Sequence, residues 1–183
     1  MHSRKIASIA VVVALVLLLF TAALAQAPSG PPKPGPEHEK LAYFAGKWTF
    51  EGESKPSPYG PAGKFTFEQK CDWFEGKLAL VCHSEGNFVG TNVKGLSVMG
   101  WDPSEKTYTY YETNTMGESV FARGTVQGDT WTWNNVSKIN GKPVRSRYTF
   151  KQTSADSGTY TFAMGDTNSH LKVIMEGKQT RMK

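Results

Sequence analysis

The chain has 183 residues, of which 39% are hydrophobic and 20% charged, and a formal net charge of +5. That length holds one ordinary domain. Lysines and acids alternate along it without a basic stripe, which argues against a nucleic-acid surface. Its two cysteines fit no metal-site or Cys-x-x-Cys redox spacing.

Arg4 and Lys5 precede an almost wholly apolar run, 6–20, followed by the small residues Thr21-Ala22-Ala23-Leu24-Ala25. This is the order of a secretory signal peptide, assigned to residues 1–25. Cleavage after Ala25 is preferred to cleavage after Ala27, which would leave Pro28 at the new terminus. No cysteine lies near the cut to carry a lipid. An uncleaved anchor is the competing reading, because 6–25 is about as long as a ~20-residue spanning helix. Removal of Arg4 and Lys5 lowers the net charge to +3. The mature chain is expected in the periplasm or outside the cell, with no stable membrane span. Residues 26–36 hold five prolines and two glycines, a stiff extended leader.

The domain proper is assigned to 37–183, a size that buries roughly 70% of its unfolded surface. Residues 37–44 suit a short helix: Leu41 and Phe44 are three apart and acids fill the first turn. Gly46 ends it. A helix this short needs a dock, expected at the mouth or floor of the strand assembly. Strands are expected at regular spacing after it. Trp48 and Phe50 alternate with Lys47, Thr49 and Glu51; Phe65, Phe67, Cys71 and Trp73 share a second face. Further strands are placed at 78–86, 93–101, 106–113, 118–126, 130–137, 143–152, 159–164 and 171–181. Asp102-Pro103, Gly128-Asp129, Asn140-Gly141 and Asp156-Ser157-Gly158 separate them. Asn140-Gly141 favours a two-residue hairpin, since both positions tolerate positive φ. About ten strands joined by tight turns make an antiparallel up-and-down meander. A sheet of that width tends to close, which removes its exposed edges. The expected fold is all-β, a closed antiparallel up-and-down barrel of about ten strands with a short N-terminal helix; a β-sandwich is the competing architecture.

Cys71 and Cys82 flank Gly76-Lys77. A two-residue type II′ turn there would set Trp73 opposite Leu80 and Cys71 opposite Cys82, within disulfide range. A structural disulfide is expected in an oxidising compartment; two buried free thiols are the alternative.

Taken together, Pro34-Gly35-Pro36-Glu37-His38 with Leu41, Ala45-Gly46-Lys47-Trp48, and Met99-Gly100-Trp101-Asp102-Pro103 with Tyr108 resemble a bacterial family, domain of unknown function 1579. Met175-Glu176 and Thr180-Arg181-Met182-Lys183 resemble its closing strand. The Cys71/Cys82 pair and the aromatic run Tyr108-Thr109-Tyr110-Tyr111 depart from the pattern. More broadly the chain is similar to the calycin barrels, which include the lipocalins. That similarity implies that Trp48 seals one end and that Arg181, near the last strand, packs over its ring.

Motifs that carry chemistry are few. His38, His83 and His170 lack partners at metal-ligand spacing. No nucleophile elbow or phosphate-binding loop is present. Scattered acids are assigned to solvated outer faces. Phe65, Phe67, Trp73, Phe121, Trp131, Trp133, Tyr148 and Phe162 are candidate lining residues of a lumen, with Arg123, on the face of Phe121, as a candidate carboxylate holder. The competing reading is that the aromatics only fill the core. Segments 54–63 and 114–117 are expected to form the rim. The expected function is a non-catalytic, lipocalin-like barrel holding a small apolar or amphipathic molecule, with no cofactor and no nucleic-acid partner. The alternatives are a protein-interaction or envelope-structural module, a lumen enzyme, and a haem-binding barrel resembling the nitrobindins, with His170 as axial ligand.

Overall fold

The computed structural model describes residues 30–167 and 170–183; the signal peptide expected at 1–25 and the first part of the expected leader lie outside the described residues. The chain opens with helix α1 (Pro36–Leu41) and a 3-10 turn (Ala42–Phe44). Ten strands come next: β1 (Gly46–Ser54), β2 (Gly63–Trp73), β3 (Ala79–Phe88), β4 (Thr91–Asp102), β5 (Thr107–Asn114), β6 (Ser119–Gln127), β7 (Thr130–Ile139), β8 (Lys142–Ser154), β9 (Ser157–Gly165) and β10 (Lys172–Arg181). Each pairs antiparallel with its sequence neighbours, and β1 pairs with β10 to close the barrel. Closure rules out the sandwich.

Two hairpins show how local chemistry sets the register. Asn140 and Gly141 take φ of 51° and 77° and place Ile139 opposite Lys142, as the Asn-Gly pair dictates. Between β2 and β3 the expected register holds, Trp73 opposite Leu80 and Cys71 opposite Cys82, and the disulfide is formed. The turn itself differs from expectation. The Lys77 amide donates to the Phe74 carbonyl and the Phe74 amide to the Ala79 carbonyl. Gly76 (φ 80°, ψ −6°) is therefore the third residue of a type II turn rather than the second of a II′. Lys77, with φ of 57°, completes a wider loop that keeps the same alignment.

The wall curves because rings lie over glycines. Gly52 faces Phe65, Gly86 faces Phe67, Gly124 faces Trp133 and Gly177 faces Tyr160 in directly opposed pairs. A Cβ at Gly124 would come 2.4 Å from the Trp133 ring, and one at Gly177 2.5 Å from the Tyr160 hydroxyl. Large rings thus occupy the space that side chains on the neighbouring strand leave empty.

One end of the barrel is sealed. Leu41 and Phe44 are buried among Trp131, Phe150 and Tyr108, with the Phe44 and Trp131 rings edge-on at 5.1 Å. Trp48 is fully buried and its Nε1 donates to the Phe44 carbonyl at 3.1 Å. The Tyr108 hydroxyl donates to the Glu37 carboxylate at 2.6 Å, which fastens α1 beneath β5. The short helix therefore docks on the floor. His38 belongs to it structurally: its Nδ1 accepts from the Gly35 amide at 3.1 Å. Arg181 completes the seal. Its guanidinium lies 4.2 Å from the Trp48 ring centroid, donates to the carbonyls of Ala45 at 2.6 Å and Tyr43 at 2.9 Å, and meets Asp156 at 3.0 Å. The cation–π contact implied by the calycin resemblance is present.

Candidate functional site in the upper lumen

Strand direction puts the connections 55–62, 89–90, 115–118 and 140–141, and the described ends 166–167 and 170–171 of the last one, at the end opposite the floor, so both expected rim segments lie there. Period 2 then sorts the lining. Phe65, Phe67 and Trp73 are on the inner face of β2, Trp131 and Trp133 on that of β7, and Tyr148 on that of β8, with Phe162 directly across from it on β9. These do not form one wall. Trp131, Trp133 and Phe65 are buried core, and Phe67, Trp73 and Tyr148 pack against that core. The floor half is therefore filled by its own side chains, and Phe65, two residues into β2 from the 55–62 connection, is buried on the rim side.

Above this plug the lining becomes mixed. Tyr110 and Glu112 continue the inner face of β5, and opposite them stand Met99 and Ser97 of β4. Glu112 accepts a hydrogen bond from the Tyr110 hydroxyl. Ser97 and Asn114 lie close enough to Tyr110 and Glu112, respectively, to lower the pKa of each. Ser84 reaches the same layer, since a Cβ on Gly95 would meet both its Oγ at 2.6 Å and Glu112 Oε1 at 3.8 Å. Tyr110 and Tyr148 are half-buried and pack against the aromatic core. Phe162 and Met175 are a directly opposed inner pair on β9 and β10, and Phe67 lies on the inner face of β2 opposite Phe50.

Burial raises the pKa of Glu112 above the usual carboxylate range; the hydrogen bond from Tyr110 opposes the rise without cancelling it. Tyr110 is pushed well above the usual phenol value by burial and then by the Glu112 charge, and Tyr148 by burial and its neighbour Tyr160. The phenols stay protonated donors, and Glu112 is biased toward its neutral form. A layer of hydroxyls and one carboxyl above an apolar plug can orient a ligand with a polar group at one end.

Two expected lining residues are elsewhere. Phe121 and Arg123 stand on the outer face of β6: Phe121 is 51% exposed, and Arg123 lies over its ring at 5.3 Å while pairing with Asp102 at 3.1 Å. The inner face of β6 is Val120, Ala122, Gly124 and Val126, kept small because Trp133 fills the space in front of Gly124. Apolar bulk pointed to the wrong face here. His170 lies on the β9–β10 connection, 70% exposed and 3.3 Å from Asp166. Among the described residues no cluster of three or more His, Cys, Asp or Glu is placed to hold a metal ion.

Sequence reasoning missed Tyr110 and Glu112. The signal was present: Tyr108, Tyr110 and Glu112 alternate with Thr109, Tyr111 and Thr113, which puts the acid in phase with a buried tyrosine.

Comparison with solved structures shows the fold. The Mycobacterium tuberculosis protein Rv2717c superposes with a TM-score of 0.55 at 14% identity, over 81% of this chain and 99% of that one. The S-type phycobiliprotein lyase CPES of Guillardia theta gives 0.55 at 12% identity, over 80% and 93%. No match is found among curated protein sequences. The family model described as protein of unknown function, DUF1579, matches residues 33–181, nearly the whole barrel with its α1 floor. The chain belongs to the DUF1579 family.

Proposed function

We propose that the barrel is a non-catalytic, extracytoplasmic carrier or sensor that holds a small amphipathic molecule in its upper lumen. The observation behind this reading is the Tyr110–Glu112 pair, set beside Ser97 where Tyr110 and Tyr148 edge the aromatic core. A barrel built only as a scaffold gains nothing from an enclosed carboxyl, because desolvating it costs stability. The hydroxyl layer would bind the polar end of the ligand, and Phe67, Phe162 and Met175 its apolar body. The phycobiliprotein lyase shares the fold, which supports small-molecule handling by barrels of this shape and names no ligand for this one. The Cys71–Cys82 bond agrees with an oxidising compartment, and among the described residues no helix is long and apolar enough to cross a membrane.

The test is native mass spectrometry of protein released gently from its own cells, as wild type and as Glu112→Leu. A reproducible added mass on the wild type that is depleted in the variant supports lumenal binding. A bare wild-type chain refutes it and favours a contact surface for another protein, for which Tyr111, Phe121 and Val136 are the exposed apolar residues.

A further inference from the structure

β6 and β7 are hydrogen-bonded over only part of their length, from Gln127 opposite Thr130 to Arg123 opposite Asn134. Beyond that point residues 119–122 pair with β5, and residues 135–139 with β8. The wall forks toward the open end, and two strand edges face each other without a ladder. Main-chain groups along such edges need partners from outside the sheet.

The fork lies beside the lumenal cluster. On its β6 side Val120 is opposite Glu112 and Ala122 opposite Tyr110. A groove runs along the fork on the outer surface, and its lining includes Asn135 and Ser146, an opposed pair in the lumen register. The groove lies on the outer face of the wall, next to the fork. Its outer lip is apolar at Phe121 and Val136, which is 56% exposed, and cationic at Arg123, Arg145 and Arg147. Arg123 is neutralised by Asp102. Arg147 donates Nε to the uncharged Asn134 at 3.0 Å, and Arg145 has no polar partner among the described residues. Two guanidinium charges thus stand uncompensated at an opening framed by apolar side chains.

We propose that the β6–β7 fork is a side portal and head-group site for an amphipathic anion, a long-chain carboxylate in its simplest form, held by Arg145 and Arg147. The apolar chain passes between the strands into the lumen. This inference rests on the lumenal-binding reading and adds to it a ligand class and a route. Arg145 and Arg147 lie two residues apart on one strand face, roughly 7 Å, so one carboxylate can lie within reach of both forks. The head group stays near water, so added salt weakens binding.

The experiment uses the folded mature chain with two fluorescent probes, cis-parinaric acid and its methyl ester, under conditions where the acid is ionised. The acid binds the wild type about tenfold more tightly than the ester, as expected for one partly exposed charge pair. In Arg145→Gln/Arg147→Gln that preference disappears while ester affinity is kept. Val136→Trp narrows the portal at an exposed site and slows association and release together by about tenfold with affinity unchanged. Equal binding of acid and ester by the wild type overturns the head-group site and leaves lumenal binding standing. Unaltered rates in Val136→Trp overturn the portal. Failure of the wild type to bind either probe overturns both this inference and the reading beneath it.

Discussion

Replacing Arg181 with alanine removes the clasp that joins the last strand to the floor. The structure sets the size of the loss. The guanidinium over Trp48 contributes about 1 kcal/mol as a cation–π contact, and each charge-assisted hydrogen bond to the Ala45 and Tyr43 carbonyls about 1.5 kcal/mol, the low end for a charged donor because Arg181 is 29% exposed. The Asp156 pair adds little, because that carboxylate is 64% exposed and such pairs are weak. The sum is about 4 kcal/mol, some of it the cost of stranding two carbonyls that water reaches poorly. With an m-value of about 2 kcal/mol/M, the urea midpoint falls by about 2 M. Arg181→Lys keeps a cation but not the planar fork, and should lose about half as much. Asp156→Ala should lose less than about 1 kcal/mol. Urea unfolding followed by tryptophan fluorescence measures all three. If Arg181→Ala matches Asp156→Ala, Arg181 is a solvated terminal residue and the account of the seal is wrong.

The same geometry sets further expectations. A carboxyl whose folded pKa is raised contributes stability that is complete below its ordinary value of 4.5 and is lost as pH rises through the folded value. Glu112→Gln cannot ionise, so its urea midpoint should gain on the wild type's as pH rises above 4.5; midpoints that stay parallel contradict the burial argument. Cys71→Ala/Cys82→Ala should cost about 2–3 kcal/mol, a short-loop crosslink. Denatured, unreduced wild type should show no titratable thiol, and two free thiols would end the idea. Gly86→Ala drives a methyl to 2.1 Å from the Thr66 carbonyl oxygen and 2.7 Å from the Phe67 ring, so it should destabilise by about 3 kcal/mol, with Phe67→Ala in the same chain recovering only the ring part of the clash.

The fold was legible wherever one face of a strand carried the bulk. Trp48 and Phe50, Phe65 and Phe67, and Trp131 and Trp133 alternate with polar residues and point inward as expected. The Cys71–Cys82 alignment survived a mistaken turn type, because the loop 75–78 between Phe74 and Ala79 shifts neither strand. β6 was illegible for a reason outside its own sequence: its inner residues are small because Trp133 of the next strand lies over Gly124. Phe121 therefore looked like the core residue while facing water. Glu112 was assigned to solvent because isolated acids on strands usually belong there; its phase with Tyr108 and Tyr110 was the stronger signal. The fork between β6 and β7 has no sequence signature, since it is defined by pairing that is absent.

The seam between β1 and β10 has a mechanical consequence. Trp48 lies opposite Arg181 at the sealed end, so the first and last strands leave the barrel side by side. A pull on both chain ends would load those cross-strand bonds one after another, like a zipper, rather than shear them all together. Resistance would then be concentrated in the Arg181 grip at the start. Once it let go, the rest of the cylinder would peel open at low force, which would make this seam the natural point of attack for any machine that drags the chain through a pore.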